Sequence, residues 1–167
     1  MTKSDLEKKK LYVRNFVFGV EDSLVSTVGM LSGIAVAGLP RDSVFVSGLV
    51  LIFVEAFSMG VGSFLSEDGS DSTKSKAEEI KAAGIMFISY FIAGFIPLTP
   101  YLLFEVTTAL PLSIILTLIS LFGLGVTDAG LMKKKIINSG LKMLILGGLA
   151  IAVGVLVGNI TGIKEGM

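Results

Sequence analysis

Apolar residues fill this chain in long uninterrupted runs, with polar residues confined to the joints between them. A helix needs about 20 such residues to cross ~30 Å of hydrocarbon, and lipid obliges it to satisfy its backbone hydrogen bonds internally. Five stretches reach or approach that length, at 16–39, 44–65, 82–98, 111–131 and 141–160. Proline suits a first helical turn and disrupts an interior one, so the third span is expected to stop at Pro97 and Pro100 and the fourth to open with Pro111. The pattern predicts an all-α membrane protein of five transmembrane helices. Its parts are an N-terminal segment 1–15, a membrane domain 16–162 and a tail 163–167.

The joints are short. Residues 1–14 are expected to form either a helix along the inner membrane surface, with Leu6, Leu11 and Tyr12 dipping inward, or a flexible tail. Residues 66–81 (SEDGSDSTKSKAEEIK) are the one polar inter-helix connection of any size, too short to enclose a core. Its acids Glu67, Asp68, Asp71, Glu78 and Glu79 read most simply as a solvated loop balanced by three lysines, with a short helical start at Ser75. The first apolar stretch is too long for a removable signal peptide and lacks a small-residue cleavage pattern, so no cleaved targeting segment is expected.

Basic residues collect in short cytoplasmic loops and thereby report orientation. With the N-terminus in the cytosol, the cytosolic joints hold Lys3, Lys8, Lys9, Lys10, Arg14, Lys74, Lys76, Lys81, Lys133, Lys134, Lys135 and Lys142; only Arg41 and Lys164 fall outside. A span miscounted in mid-chain would invert every later loop and spoil that division. A cytosolic N-terminus is therefore expected.

Composition narrows the chemistry. The chain is 52% hydrophobic and 17% charged, against about a quarter charged in soluble domains, and its mean hydropathy is +0.83. Zero net charge gives no reason to expect a nucleic-acid partner. With neither cysteine nor histidine, disulfides, thiolate nucleophiles, imidazole bases and the usual zinc sites are excluded. Any metal site must use carboxylates, hydroxyls, carbonyls or methionine sulfur. No nucleophile elbow, phosphate loop or clustered aspartate motif is present, so enzymatic activity and a tightly bound cofactor are not expected.

An ionisable side chain near the bilayer centre costs ~2.5–3.5 kcal/mol on insertion scales and marks a partner, a pore or water. Four acids qualify: Glu21, Asp22, Glu55 and Asp128. Asp22 lies about six residues into the first span and Met59 about six from the end of the second, so at ~1.5 Å per residue both sit ~9 Å below the inner surface, with Glu55 one turn deeper. Helical spacing aligns Glu55, Ser58, Met59 and Gly62 on one stripe and Asp22, Ser26, Gly29 and Gly33 on another. Carboxylates beside a thioether suit ferrous iron or manganese better than calcium. A lone methionine is nevertheless more often packing than ligand, and Gly29/Gly33 and Gly154/Gly158 have the spacing of helix contacts either within a subunit or between subunits. Glu21, ~100° round the helix from Asp22, is expected to face headgroups or pair with lysine. Asp128 reads as an interfacial charge ahead of the Lys133–Lys135 run.

These residues carry a family resemblance. NFVFGVEDSLVSTVGMLSGIAVAG, VEAFSMGVGSFLSE and SGLKMLILGGLAIAVGVLVG resemble the opening, second and closing helices of the vacuolar iron transporter family, the second being the most specific match. The resemblance implies a five-helix protomer in a homodimer, with an ion path between subunits exporting ferrous iron or manganese from the cytosol against protons. By position it implies Asp22 and Met59 on that path. Family members commonly carry a glutamate where this chain has Leu51, so Glu55 is either a substitute displaced by one turn or a separate feature. The chain also departs at 66–81, which is too short for the glutamate- and methionine-rich cytosolic domain of well-characterised members.

The expected function is a divalent metal transporter in which Asp22, Glu55 and Met59 meet the ion, with Ser26, Ser58, Gly29, Gly33 and Gly62 lining or packing the path. Compact length and the absence of a targeting segment lead to an expected prokaryotic plasma membrane. The alternative is a non-transporting scaffold or metal sensor that keeps the fold.

Overall fold

A computed structural model describes residues 3–68, 75–132 and 135–162. It contains five α-helices and, among the described residues, no strand: α1 (Lys3–Val36), α2 (Arg41–Asp68), α3 (Lys76–Leu103), α4 (Val106–Met132) and α5 (Ile136–Thr161). All five are long and apolar enough to cross a membrane. The expected tail 163–167, residues 69–74 of the polar connection, and Lys133 and Lys134 lie outside the described residues.

Four helix boundaries depart from the sequence expectation. α1 runs unbroken from Lys3 for 34 residues, so residues 3–14 prolong the first span and form neither a separate surface helix nor a flexible tail. α3 continues through Pro97 and Pro100. Each proline removes a backbone donor, but hydroxyls supply bonds in the same stretch: Thr99 Oγ1 donates to the Phe95 carbonyl at 2.6 Å and Ser113 Oγ, from α4, to the Pro97 carbonyl at 2.7 Å. Packing against neighbouring helices, together with side-chain hydroxyls, lets membrane helices carry proline in their interior. α4 begins at Val106, with Pro111 inside it. The polar connection is mostly consumed by helix, since α2 reaches Asp68 and α3 starts at Lys76, just after Ser75.

The turn between α1 and α2 is set by backbone chemistry. Gly38 takes φ 85°, a left-handed conformation that glycine adopts without a Cβ clash and that commonly ends helices. The Pro40 carbonyl then accepts from the Ser43 and Val44 amides to start α2.

α1 is the central element. Of its most apolar window 56% is buried, against 22% for α2 and 17% for α5. It packs chiefly on α3 and α5, while α2 leans mainly on α3. Lipid tails are as apolar as leucine, so close van der Waals packing has to hold the helices together. The tightest seam joins α1 to α5: a Cβ added at Gly33 would lie 2.7 Å from the Gly154 carbonyl oxygen, and one at Gly29 3.1 Å from that of Ala150. Gly154 and Gly158 in turn press on the backbone of Gly29 and Gly33. The two glycine pairs therefore meet each other within one chain.

A second core fills the end of the bundle where α1 ends and α2 begins, with Leu31, Val44, Ile52, Leu98 and Tyr101 buried together. Replacing Gly33 by valine drives a branched side chain into α5 backbone, an overpacking of about 1–3 kcal/mol. Purified in detergent, Gly33→Val should unfold at lower temperature than wild type. Gly148→Ala, where an added Cβ meets nothing within 4 Å, should not; equal melting of the two would refute this account of the seam.

Candidate functional site

Where α1 ends and α2 begins, the two meet with Leu31 and Leu98 filling the space over Gly48. At the opposite end, where α1 begins and α2 ends, polar contacts between described residues join them: Ser63 Oγ donates to Asn15 Oδ1 at 2.8 Å, and Arg14 Nη2 to Glu67 Oε1 at 2.6 Å. The four acids singled out from the sequence are held between these points or beside them.

Asp22 and Glu55 are both half-buried and interact electrostatically across α1 and α2. Behind them stands Tyr90 of α3, fully buried and within electrostatic reach of both carboxylates. Its hydroxyl shares a 2.7 Å hydrogen bond with Ser26 Oγ, and its carbonyl accepts from Ser23 Oγ at 2.6 Å. Asp22, Ser26 and Glu55 thus converge on one tyrosine. Glu21 lies elsewhere, interacting with Asp128 of α4 and Lys142 of α5 as well as with Asp22.

The remaining stripe residues divide. Met59 and Gly62 line a cavity of about 460 Å³ on the inner side of Glu55, together with Ser63, Asn15 and Met86. Ser58 is exposed and faces outward. Gly29 and Gly33 are occupied by α5, on the floor of a separate groove between α1 and α5 that Ser26 also borders. They pack the bundle and do not flank the Asp22–Glu55 pair.

The acids of the polar connection do not form a solvated loop. Glu67 and Glu79 are buried at 5% exposure, one in the last turn of α2 and the other in the first turn of α3. Their surroundings bring in α1: Arg14 binds Glu67, and Lys8 Nζ binds Glu78 at 2.7 Å. Glu79 Oε2 is buried without a hydrogen-bond partner, Asp68 is exposed, and Asp71 lies outside the described residues.

Tyr90, Met86, and the Asn15–Ser63 and Arg14–Glu67 contacts were not singled out by sequence reasoning. Tyr90 carried a faint signal, a hydroxyl-bearing ring inside the run MFISYFIAGF. Removing that hydroxyl in Tyr90→Phe leaves Ser26 Oγ with its long 3.5 Å bond to the Ser23 carbonyl and should cost about 0.5–1.5 kcal/mol. Thermal unfolding in detergent reads this directly, and an unshifted transition would mean that the bond contributes nothing.

Comparison with known proteins adds an independent finding. A family model described as the VIT family matches residues 13–76 and residues 66–159. The two matches meet at the connection between α2 and α3, the place where the chain is too short for an inserted domain. A comparison with curated proteins gave no match. The matching family is one of membrane metal-ion transporters.

Proposed function

We propose that this chain, which belongs to the VIT family, the vacuolar iron transporters, exports ferrous iron and/or manganese from the cytosol by exchange with protons. The observation that carries the reading is the Asp22–Glu55 pair: two acids within electrostatic range of each other on membrane-spanning helices. Like charges brought together away from water repel, and a shared proton or a bound cation relieves them. A divalent ion does so by taking both carboxylates ionised, and its departure lets protons return. One site then binds the two ligands in alternation, because metal ligation requires the deprotonated form.

Tyr90 and Ser26 supply hydroxyl oxygens beside the pair, and Met59 supplies sulfur on the inner side. Oxygen ligands with one thioether accommodate Fe²⁺ or Mn²⁺ and give little to favour Ca²⁺. The basic residues at the inner end, Lys8, Lys9, Lys10 and Arg14 on α1 with Lys76 and Lys81 on α3, support an N-terminus in the cytosol. Export then runs from the cavity holding Met59 toward the end where α1 meets α2. A homodimer is part of the reading. The exposed α2 residues Val50, Phe53, Val54 and Phe57 offer a second copy an apolar face beside Glu55, so that pairing would enclose the acids in a shared path. The membrane is proposed to be a prokaryotic plasma membrane.

Metal uptake into proteoliposomes tests the reading, with a pH dye trapped inside. A charge-assisted contact of ~1.5–3 kcal/mol corresponds to ~10–100-fold in affinity, so flux at limiting metal should fall at least ~tenfold in Asp22→Asn, and fall also in Met59→Ala. Wild-type flux should move protons in the opposite direction. Full transport by both variants would remove the mechanism, flux without proton movement would leave a uniporter, and a stable dimer with no flux at all is what a scaffold or sensor would give.

A further inference from the structure

Between α2 and α3, at the end where α2 finishes and α3 begins, lies a groove of about 590 Å³ with no polar side chain in its lining. Phe57 and Phe64 wall it from α2, and Ile80, Phe87 and Ile88 from α3. Gly84 also lines it, at a point where an added Cβ would meet nothing within 4 Å. Phe57, Ile80 and Ile88 are more than half exposed, so in a bilayer the groove opens on lipid. From Ile80 to Ile88 is ~12 Å of helix, against ~15 Å for one leaflet of a ~30 Å hydrocarbon core. The groove therefore has the length of an acyl chain lying in a single leaflet.

Lipid tails are as apolar as leucine, so a groove of this kind takes any tail equally well. Selection has to come from its mouth. Helical spacing places Lys76 four residues before Ile80 and eleven before Phe87, on the groove face of α3, with Lys81 at the edge of that face. Asp68 stands four residues beyond Phe64 and eleven beyond Phe57, on the groove face of α2. All three are exposed, and neither lysine forms an ion pair with another described residue, Asp68 included. The other acids of α3 at this end are engaged elsewhere: Glu78 binds Lys8 of α1, and Glu79 is buried. The mouth thus carries two cations on one wall and an anion on the other. Lysine stems lie along apolar surface while their ammonium groups reach the headgroup level.

We propose that this groove binds one phospholipid of the phosphatidylethanolamine type, with an acyl chain lying against Gly84, the phosphate over Lys76 and Lys81, and the ammonium on Asp68. A headgroup that carries both charges answers both walls. An anionic headgroup answers the lysines and leaves Asp68 facing like charge, and a trimethylated ammonium has no N–H to donate to it. Surface contacts of this kind are each worth about two- to fivefold in affinity, enough to rank headgroups while the groove holds the chain. The site does not depend on the transport reading. Phe57 is the one residue it shares with the α2 residues offered to a second copy.

Native mass spectrometry of the purified full chain tests this, with phosphatidylethanolamine, phosphatidylglycerol and phosphatidylcholine of matched tails titrated into the detergent solution. One phosphatidylethanolamine per chain should bind, about two- to fivefold more tightly than either of the others. Asp68→Asn should remove its advantage over phosphatidylglycerol, and Lys76→Gln/Lys81→Gln should weaken both of these lipids. Gly84→Leu fills the groove without meeting protein, so it should keep the wild-type melting temperature and weaken the bound lipid at least ~tenfold. Equal binding of the three lipids, or a lipid count that Gly84→Leu leaves unchanged, overturns the site. The same spectra read oligomeric state, and a Gly84→Leu chain that loses dimer while its lipid binding stays as in wild type overturns it also, giving the groove to a second copy.

Discussion

The contact on which the rest of the structure depends is the backbone-to-backbone approach of α1 and α5. Within a membrane no helix gains by hiding apolar surface from lipid, so helices associate where their backbones come close enough for dense van der Waals contact. Gly29 and Gly33 meeting Ala150, Gly154 and Gly158 provide that contact and hold α1 firmly on one side. α3 holds it on another. With two sides of α1 committed, α2 packs less extensively on it, meeting it at the apolar core and, among the described residues, through the Asn15–Ser63 and Arg14–Glu67 contacts. Met59 lines the cavity on that side, and Asp22 and Glu55 lie half-buried toward the middle of α1 and α2.

The placement of charge follows from the cost of holding it away from water. Glu67 has Arg14 and Glu78 has Lys8, so each of these acids is paired with a base on another helix. Asp22 and Glu55 differ, because the charged group each finds across the helix boundary is another acid. A bundle held together only for stability would gain by replacing either with a neutral residue. Retaining both, around the Tyr90 hydroxyl and Ser26, makes sense for a site that is completed by a cation passing through. The VIT family match is consistent with that use.

Much of the architecture was legible in the sequence, for a definite reason. Helix number and membrane character are properties of 20-residue windows, and the stripe that aligned Asp22 with Ser26 is a property of one helix. What failed depended on other helices. α3 continues through Pro97 and Pro100 inside a packed bundle, where Ser113 of α4 bonds the Pro97 carbonyl, and no reading of residues 82–98 contains that contact. Gly29 and Gly33 share the face of Asp22 by spacing, yet α5 covers them, so one stripe serves packing at its outer half and chemistry at its inner half. Glu67 looked solvated because its neighbours in sequence are polar. Its partner lies 53 positions away, a separation that no periodicity detects.

The two ends of the α1–α2 boundary are built from different forces, and this bears on how a path there can open. The outer end is closed by Leu31, Val44, Ile52, Leu98 and Tyr101, all nearly inaccessible; separating them would create voids, which close-packed interiors resist. The contacts at the other end include a neutral hydrogen bond and an ion pair whose cationic member is mostly in water, and water can replace these group for group. Opening is therefore cheap at the end that carries the cavity and Met59, and expensive at the end that carries the apolar core. In the proposed transport, release past Leu31 would require either a rearrangement of that core or a route along the lipid-facing surface of α1 and α2. The exposed apolar face of α2 beside Glu55 favours the second, since a partner subunit laid against it would complete a path without disturbing the core.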